Sequence, residues 1–154
     1  MKEFLEVFGL NLQSMNGIDI VSAAEFVAEI GDISRFPSAK HLASYAGVAP
    51  LANSSGQHEN LRADWRGNRV LNCLFYKLAI RVIMPTGKNK VYVNPLFREY
   101  YENWCSVGEN ENPDSHINRK ALKRVERRLV NVIYSMMKNK RDYINPPVLR
   151  TIER

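Results

Sequence analysis

The sequence predicts an all-α fold of six helices in a single domain, and three observations carry that prediction. Apolar residues recur at helical spacing over most of the chain, and glycine, proline or asparagine marks the ends of the periodic stretches. No internal repeat, glycine-rich phosphate cradle or low-complexity tract interrupts the pattern. A chain of 154 residues is long enough to bury one core of ordinary size and does not require a second.

Taken in order, Leu5, Phe8 and Leu12 lie on one helical face before Met15-Asn16-Gly17. Val21 to Ile30 gives a second apolar helix that Gly31 caps. Two helices joined at Gly17 resemble a helix-hairpin-helix, in which backbone N–H groups of the turn meet a DNA phosphate. Asn16 stands where that motif has proline, and Asp19 where it commonly has a second glycine. An aspartate there caps its own helix and repels phosphate, so packing is the competing use of the turn. Ser38 is positioned to cap a short helix, Ala39 to Ala46, that stops at Gly47, with Pro50 confirming the exit.

A polar segment from Val48 to Asp64 follows, longer than a plain connection. From Arg69 to Met84 the residues Val70, Leu71, Leu74, Phe75, Leu78 and Val82 form one face of a core helix, which Pro85 and Gly87 end. Asn94-Pro95 opens the next helix as cap and first-turn proline. Its Leu96, Phe97, Tyr100, Tyr101 and Trp104 read as core and elbow packing, with base stacking as the alternative for exposed rings. A loop from Ser106 to His116 precedes a last long helix. There Leu122, Val125, Leu129, Val132, Ile133 and Met136 form the buried stripe, and Lys120, Lys123, Arg124, Arg127 and Arg128 crowd the other side as the candidate face for contact with a nucleic-acid backbone. Pro146-Pro147 and the polar end predict a frayed tail.

Composition narrows the class. The net charge of +6 is split unevenly, with residues 1–61 at −4 and residues 62–154 at +10, so the second part is suited to a polyanion such as nucleic acid. No apolar run is long enough to span a membrane and no signal peptide is visible, which predicts a cytoplasmic protein with no membrane partner. Cys73 and Cys105 lie far apart without ligand spacing, so neither a disulfide nor a metal site is expected and both read as reduced packing residues.

The chemistry-bearing residues gather in the middle. Ser54-Ser55-Gly56 is followed by His58, Arg62, Arg66, Gly67-Asn68 and Arg69. A hydroxyl becomes a nucleophile when a neighbour accepts its proton and cations stabilise the group it attacks, so the grouping points to phosphoryl transfer. Arg62, Arg66 and Arg69 are candidate phosphate clamps, with a surface ion pair to Asp64 as the plainer role for Arg66 and Arg69. His58 is a candidate proton shuttle, a surface histidine being its plainer reading.

The order Gly17-Ile18-Asp19, Ala23-Ala24, Glu29-Ile30-Gly31-Asp32-Ile33, Arg35-Phe36-Pro37-Ser38-Ala39-Lys40, Leu42 through Pro50, Ser55-Gly56 and Gly67-Asn68 resembles one family. It is similar to the C-terminal transposase domain of the IS110, IS116 and IS902 insertion-sequence transposases. The resemblance runs from about Leu12 to Tyr143 and is densest between Gly17 and Asn68. It implies that the serine directly before glycine, Ser55, attacks DNA and becomes joined to it during strand exchange, with Ser54 as the second choice. It also implies a guide RNA, DNA as substrate, and a homo-oligomer.

Full family members carry an N-terminal domain of RNase H fold whose acidic residues bind magnesium, and this chain is expected to lack that domain and any cofactor of its own. Residues 1–15 then read as the connection that follows it, 16–143 as the transposase C-terminal domain and 144–154 as the tail. The chain alone is expected to be inactive. Asn72 stands where the family commonly has arginine, which leaves a non-enzymatic nucleic-acid-binding or oligomerisation module, a degenerate remnant, as the competing expectation.

Overall fold

A computed structural model describes residues 12–49, 67–87, 91–107 and 118–144. Among them are five α-helices: α1 (Ile20–Ile30), α2 (Ala39–Tyr45), α3 (Arg69–Ile83), α4 (Pro95–Val107) and α5 (Arg119–Asn139). Two single 3-10 turns, Leu12–Ser14 and Ile33–Arg35, precede α1 and α2. A small antiparallel hairpin joins α3 to α4, with β1 (Pro85–Thr86) paired to β2 (Val91–Tyr92) in the register Pro85 to Tyr92 and Thr86 to Val91. The domain is mostly helical, and this hairpin is its one departure from all-α among the described residues.

Three of the five helix starts carry a side-chain cap, while Asn94, expected to cap α4, is buried with its amide unbonded among the described residues. Asp19 accepts from the Ser22 N–H at 2.7 Å, Asn68 from Leu71 N–H at 2.9 Å, and Asn118 from Ala121 N–H at 2.9 Å, each satisfying a donor the helix leaves unpaired. At Ser38 the capping position is as expected, but the side chain makes no capping bond and shares a 2.9 Å hydrogen bond with His41 Nδ1 instead. Gly31 closes α1 at φ +62°, its N–H returning to Val27 O. Helix α3 stops at Ile83 because Pro85 cannot continue it.

α5 is the centre of the packing, lying against α2, α3 and α4, while α1 covers the other side of α3. The expected stripe of α5 is buried, with Val132 half-buried at its margin and Ala121, Val130 and Met137 widening it. Phe26 of α1 meets Phe75 of α3 with ring centres 5.0 Å apart. Two expectations fail on α3. Val70 is 53% exposed because helical rotation turns it off the face of Leu71, Leu78 and Val82, the adjacent Leu71 being fully buried, and Cys73 is exposed rather than packed. Cys105 packs at the edge of the core.

Beyond α5, Lys140 takes a left-handed conformation at φ 49°, and the chain returns so that Tyr143 N–H donates to Ser14 Oγ at 2.7 Å. No described helix is long and apolar enough to cross a membrane.

Candidate nucleic-acid interface

The best-built polar cluster lies where α2 ends and α3 begins. Gly47 has φ +66°, and a Cβ on Gly67 would stand 2.5 Å from Gly47 N, so the two glycine backbones touch. Asn68 N–H donates to Tyr45 O at 2.8 Å. The Asn68 side chain donates to Glu29 Oε2 at 2.7 Å, and Asn72 Nδ2 reaches the carbonyls of Ala46 and Gly47 at 3.0 and 2.9 Å. The chain therefore leaves Ala49 and re-enters at Gly67 at neighbouring points, with α1, α2 and α3 tied together beneath.

Tyr45 stands at the rim of this clasp. Its ring lies 5.3 Å from Phe36, and the Arg35 guanidinium sits 4.7 Å from both ring centres. The Asn68 amide, and then Arg35, hold the Tyr45 phenol below its ordinary range. Ser54, Ser55, His58, Arg62 and Arg66 lie outside the described residues. Arg69 opens α3 and is exposed, next to the clasp.

The turn at Gly17 is committed to packing, the helix expected before Leu12 lying outside the described residues. Gly17 has φ +106°, and a Cβ there would come within 3.0 Å of Val82 Cγ1. Arg81 of α3 donates to both Gly17 O at 2.9 Å and Asp19 Oδ2 at 3.0 Å, so a cation already occupies this face. The N–H of Ser22 and then the charge of Arg81 hold the Asp19 carboxyl below its usual range.

The basic helix is more structured than a free cationic face. Lys123 Nζ pairs at 2.6 Å with the buried Glu126. The Arg124 guanidinium lies 3.6 Å from the centre of the Trp104 ring, and Arg128 lies 5.9 Å from Tyr100. Arg127 is half-buried; its Nε is buried without a partner, and burial followed by the charge of Arg124 lowers its proton affinity. Lys120 is exposed one turn before Arg124. The α4 aromatics divide accordingly, with Phe97 and Tyr101 in the core and Tyr100 and Trp104 half-buried at the seam with α5. Tyr101 OH also accepts from Asn118 N–H at 2.8 Å, fixing the start of α5.

No group of three His, Cys, Asp or Glu side chains among the described residues could hold a metal ion. What the described residues present is a clasp joining Gly47 and Gly67 at the two sides of the serine-bearing segment, and a separate seam where Arg124 stacks on Trp104 with Arg127 and Arg128 nearby.

The profile described as "Transposase IS116/IS110/IS902 family" matches residues 10–102, more than half of the chain. The chain belongs to the IS116/IS110/IS902 transposase family. Among relatives, it is 34% identical over 142 residues to an IS116 protein of Streptomyces clavuligerus, covering 91% of this chain and 32% of that protein. It is 31% identical over 129 residues to an IS110 protein of Streptomyces coelicolor, covering 83% and 28%. It is also 27% identical over 134 residues to a pilin gene-inverting protein of Moraxella bovis, covering 86% and 37%. The chain thus spans about a third of the length of these curated relatives.

The clasp residues Glu29, Tyr45, Gly47 and Asn72 were not among the predicted site residues. Gly67-Asn68 directly before an apolar helical stripe is a legible capping signal; its partner Glu29, 39 residues away, has no local signature.

Proposed function

We propose that this chain is the serine-bearing part of a DNA transposase or recombinase, supplying the nucleophile for strand exchange. In this reading Ser55 Oγ attacks a DNA phosphodiester, forming a phosphoserine bond as the 3′ or 5′ oxygen of the cut strand departs with a proton. Ser54 is the second choice of nucleophile. His58 accepts the serine proton, and Arg62, Arg66 and Arg69 neutralise charge on the phosphoryl group.

The observation that carries this reading is the clasp. Gly47 against Gly67, with Asn68 and Asn72 bonded across it, holds the two ends of the Ser54-Ser55-Gly56 segment on three packed helices. A nucleophile must be held in line with its leaving group to gain from proximity, and a rigid base beneath a reactive segment serves that need. Family membership adds weight, because one similar protein is named for inverting a pilin gene, which is a DNA rearrangement.

Magnesium belongs to an acidic domain of RNase H fold that completes the active unit, with DNA as substrate, a structured guide RNA and a homo-oligomer as further partners. Residues 1–15 connect to that domain, 16–143 form the transposase unit and 144–154 its tail. The chain then works in the cytoplasm and is inactive alone.

The test supplies the chain with that acidic domain, magnesium, guide RNA and target DNA. Ser55→Ala should abolish both strand exchange and the covalent protein–DNA adduct while leaving the melting temperature unchanged. Wild-type levels of exchange by that variant would eliminate Ser55, and an adduct formed by the 154-residue chain alone would refute the dependence on a second domain.

A further inference from the structure

Helices α4 and α5 run antiparallel along one seam, because Trp104 meets Arg124 while Tyr100, one turn earlier, meets Arg128, one turn later. The two rings are 6.4 Å apart and tilted by 72°. Successive rungs on α5 are separated by about 6 Å from the rise of four helical residues. Arg124 and Arg128 are exposed, and neither has a carboxylate within ion-pair distance among the described residues. Glu126 on the same helix pairs with Lys123, and Glu102 on α4 pairs with Arg98. Arg127 adds a third guanidinium whose cation is disfavoured by burial and by Arg124.

Glu126 is the one carboxylate whose charge acts on Arg127, and among the described residues Arg124 and Arg128 have none, so the cluster keeps a cationic excess that an anion would complete. Stacking on Trp104 also holds the Arg124 guanidinium flat, removing rotamer freedom in advance and leaving its outer face and N–H edges open. A flat cation with a free face and free donors suits a base on one side and a phosphate at the edge. Base-paired duplex offers only phosphates to such a surface, since its bases are already stacked on each other.

We propose that the Arg124–Trp104 stack, flanked by Arg128 5.9 Å from the Tyr100 ring, forms a platform for an unpaired nucleic-acid strand, with Arg127 as a further phosphate contact. This deepens the nucleic-acid reading above, yet stands apart from the serine chemistry.

The test is fluorescence anisotropy of the full chain with end-labelled single-stranded DNA, single-stranded RNA and duplex DNA of one length. Wild type should bind at least one single strand about tenfold more tightly than duplex. Trp104→Leu should cost about tenfold on the single strand and little on duplex, and Trp104→Phe should restore most of the loss. Either sugar satisfies the proposal, and the tighter of the two identifies the strand. Equal binding of single strand and duplex, or an equal loss on both, would overturn it. If Trp104→Leu does not fold, Arg124→Gln on the exposed side makes the same comparison. Anisotropy reads binding and the Ser55→Ala assay reads strand exchange, so failure of the nucleophile assignment and failure of the platform are read separately.

Discussion

Glu126 carries the clearest residue-scale cost in the domain. It is fully buried in α5, one oxygen bonded to Lys123 and the other without a partner. Burial raises its carboxyl above the ordinary range, against the smaller pull of Lys123. The native state therefore holds this proton more tightly than the unfolded chain does. Its penalty is absent below the ordinary carboxylate value, grows as pH rises toward the raised native value, and is complete above it. Glu126→Gln should accordingly raise the melting temperature at neutral pH and lose that advantage near pH 4, as followed by circular dichroism. A variant less stable than wild type at neutral pH would show that the Lys123 bond outweighs desolvation. Asp32, bonded to Ser34, and Asp19 have lowered values, so the stability they lend is present above the ordinary carboxylate value and fades as acid protonates them.

At the scale of elements, the clasp joining α1, α2 and α3 depends on having no side chain at Gly67. A methyl group there meets the Gly47 backbone at 2.5 and 2.6 Å, and backbone cannot swing aside as a side-chain tip can. Gly67→Ala should therefore destabilise the domain by about 1–3 kcal/mol in urea unfolding, whereas alanine at the uncrowded Gly31 meets only its left-handed φ. Unchanged stability for Gly67→Ala would mean the two segments separate freely.

Helix existence was legible in sequence because period and breakers agreed from Ile20 to Asn139, although the expected caps Ser38 and Asn94 make no side-chain capping bond. The β1–β2 hairpin was not, since Pro85 and Gly87 read only as the end of a helix. Its two short strands depend on contacts further along the chain: Arg98 donates to Ile83 O and stacks on Tyr92. The basic helix was legible as a charge pattern, but its register against α4 was not, and that register sets Arg124 on Trp104 and brings Arg128 near Tyr100. Asn72, readable only as a departure from the family, has a structural use in bonding Ala46 and Gly47.

Across the whole molecule, the uneven charge of the sequence becomes a working asymmetry. The acidic first part supplies Asp19 and Glu29, which are consumed internally by Arg81 and Asn68, while the excess cations of the second part stand along α5. Binding of single-stranded nucleic acid should weaken steeply with salt. Replacing Arg124, Arg127 and Arg128 together by glutamine should flatten the logarithmic salt slope by about 2, since each released phosphate contact on a single strand contributes about 0.7. An unchanged slope would place the phosphate contacts elsewhere on the surface.

The bond from Tyr143 to Ser14 has an architectural consequence. Whatever polypeptide precedes Leu12 and whatever follows Tyr143 emerge side by side at one pole of the body. A short bridge between those two points would close the chain into a ring without reaching across the body. A fused partner could also be attached at either end and still occupy the same neighbourhood.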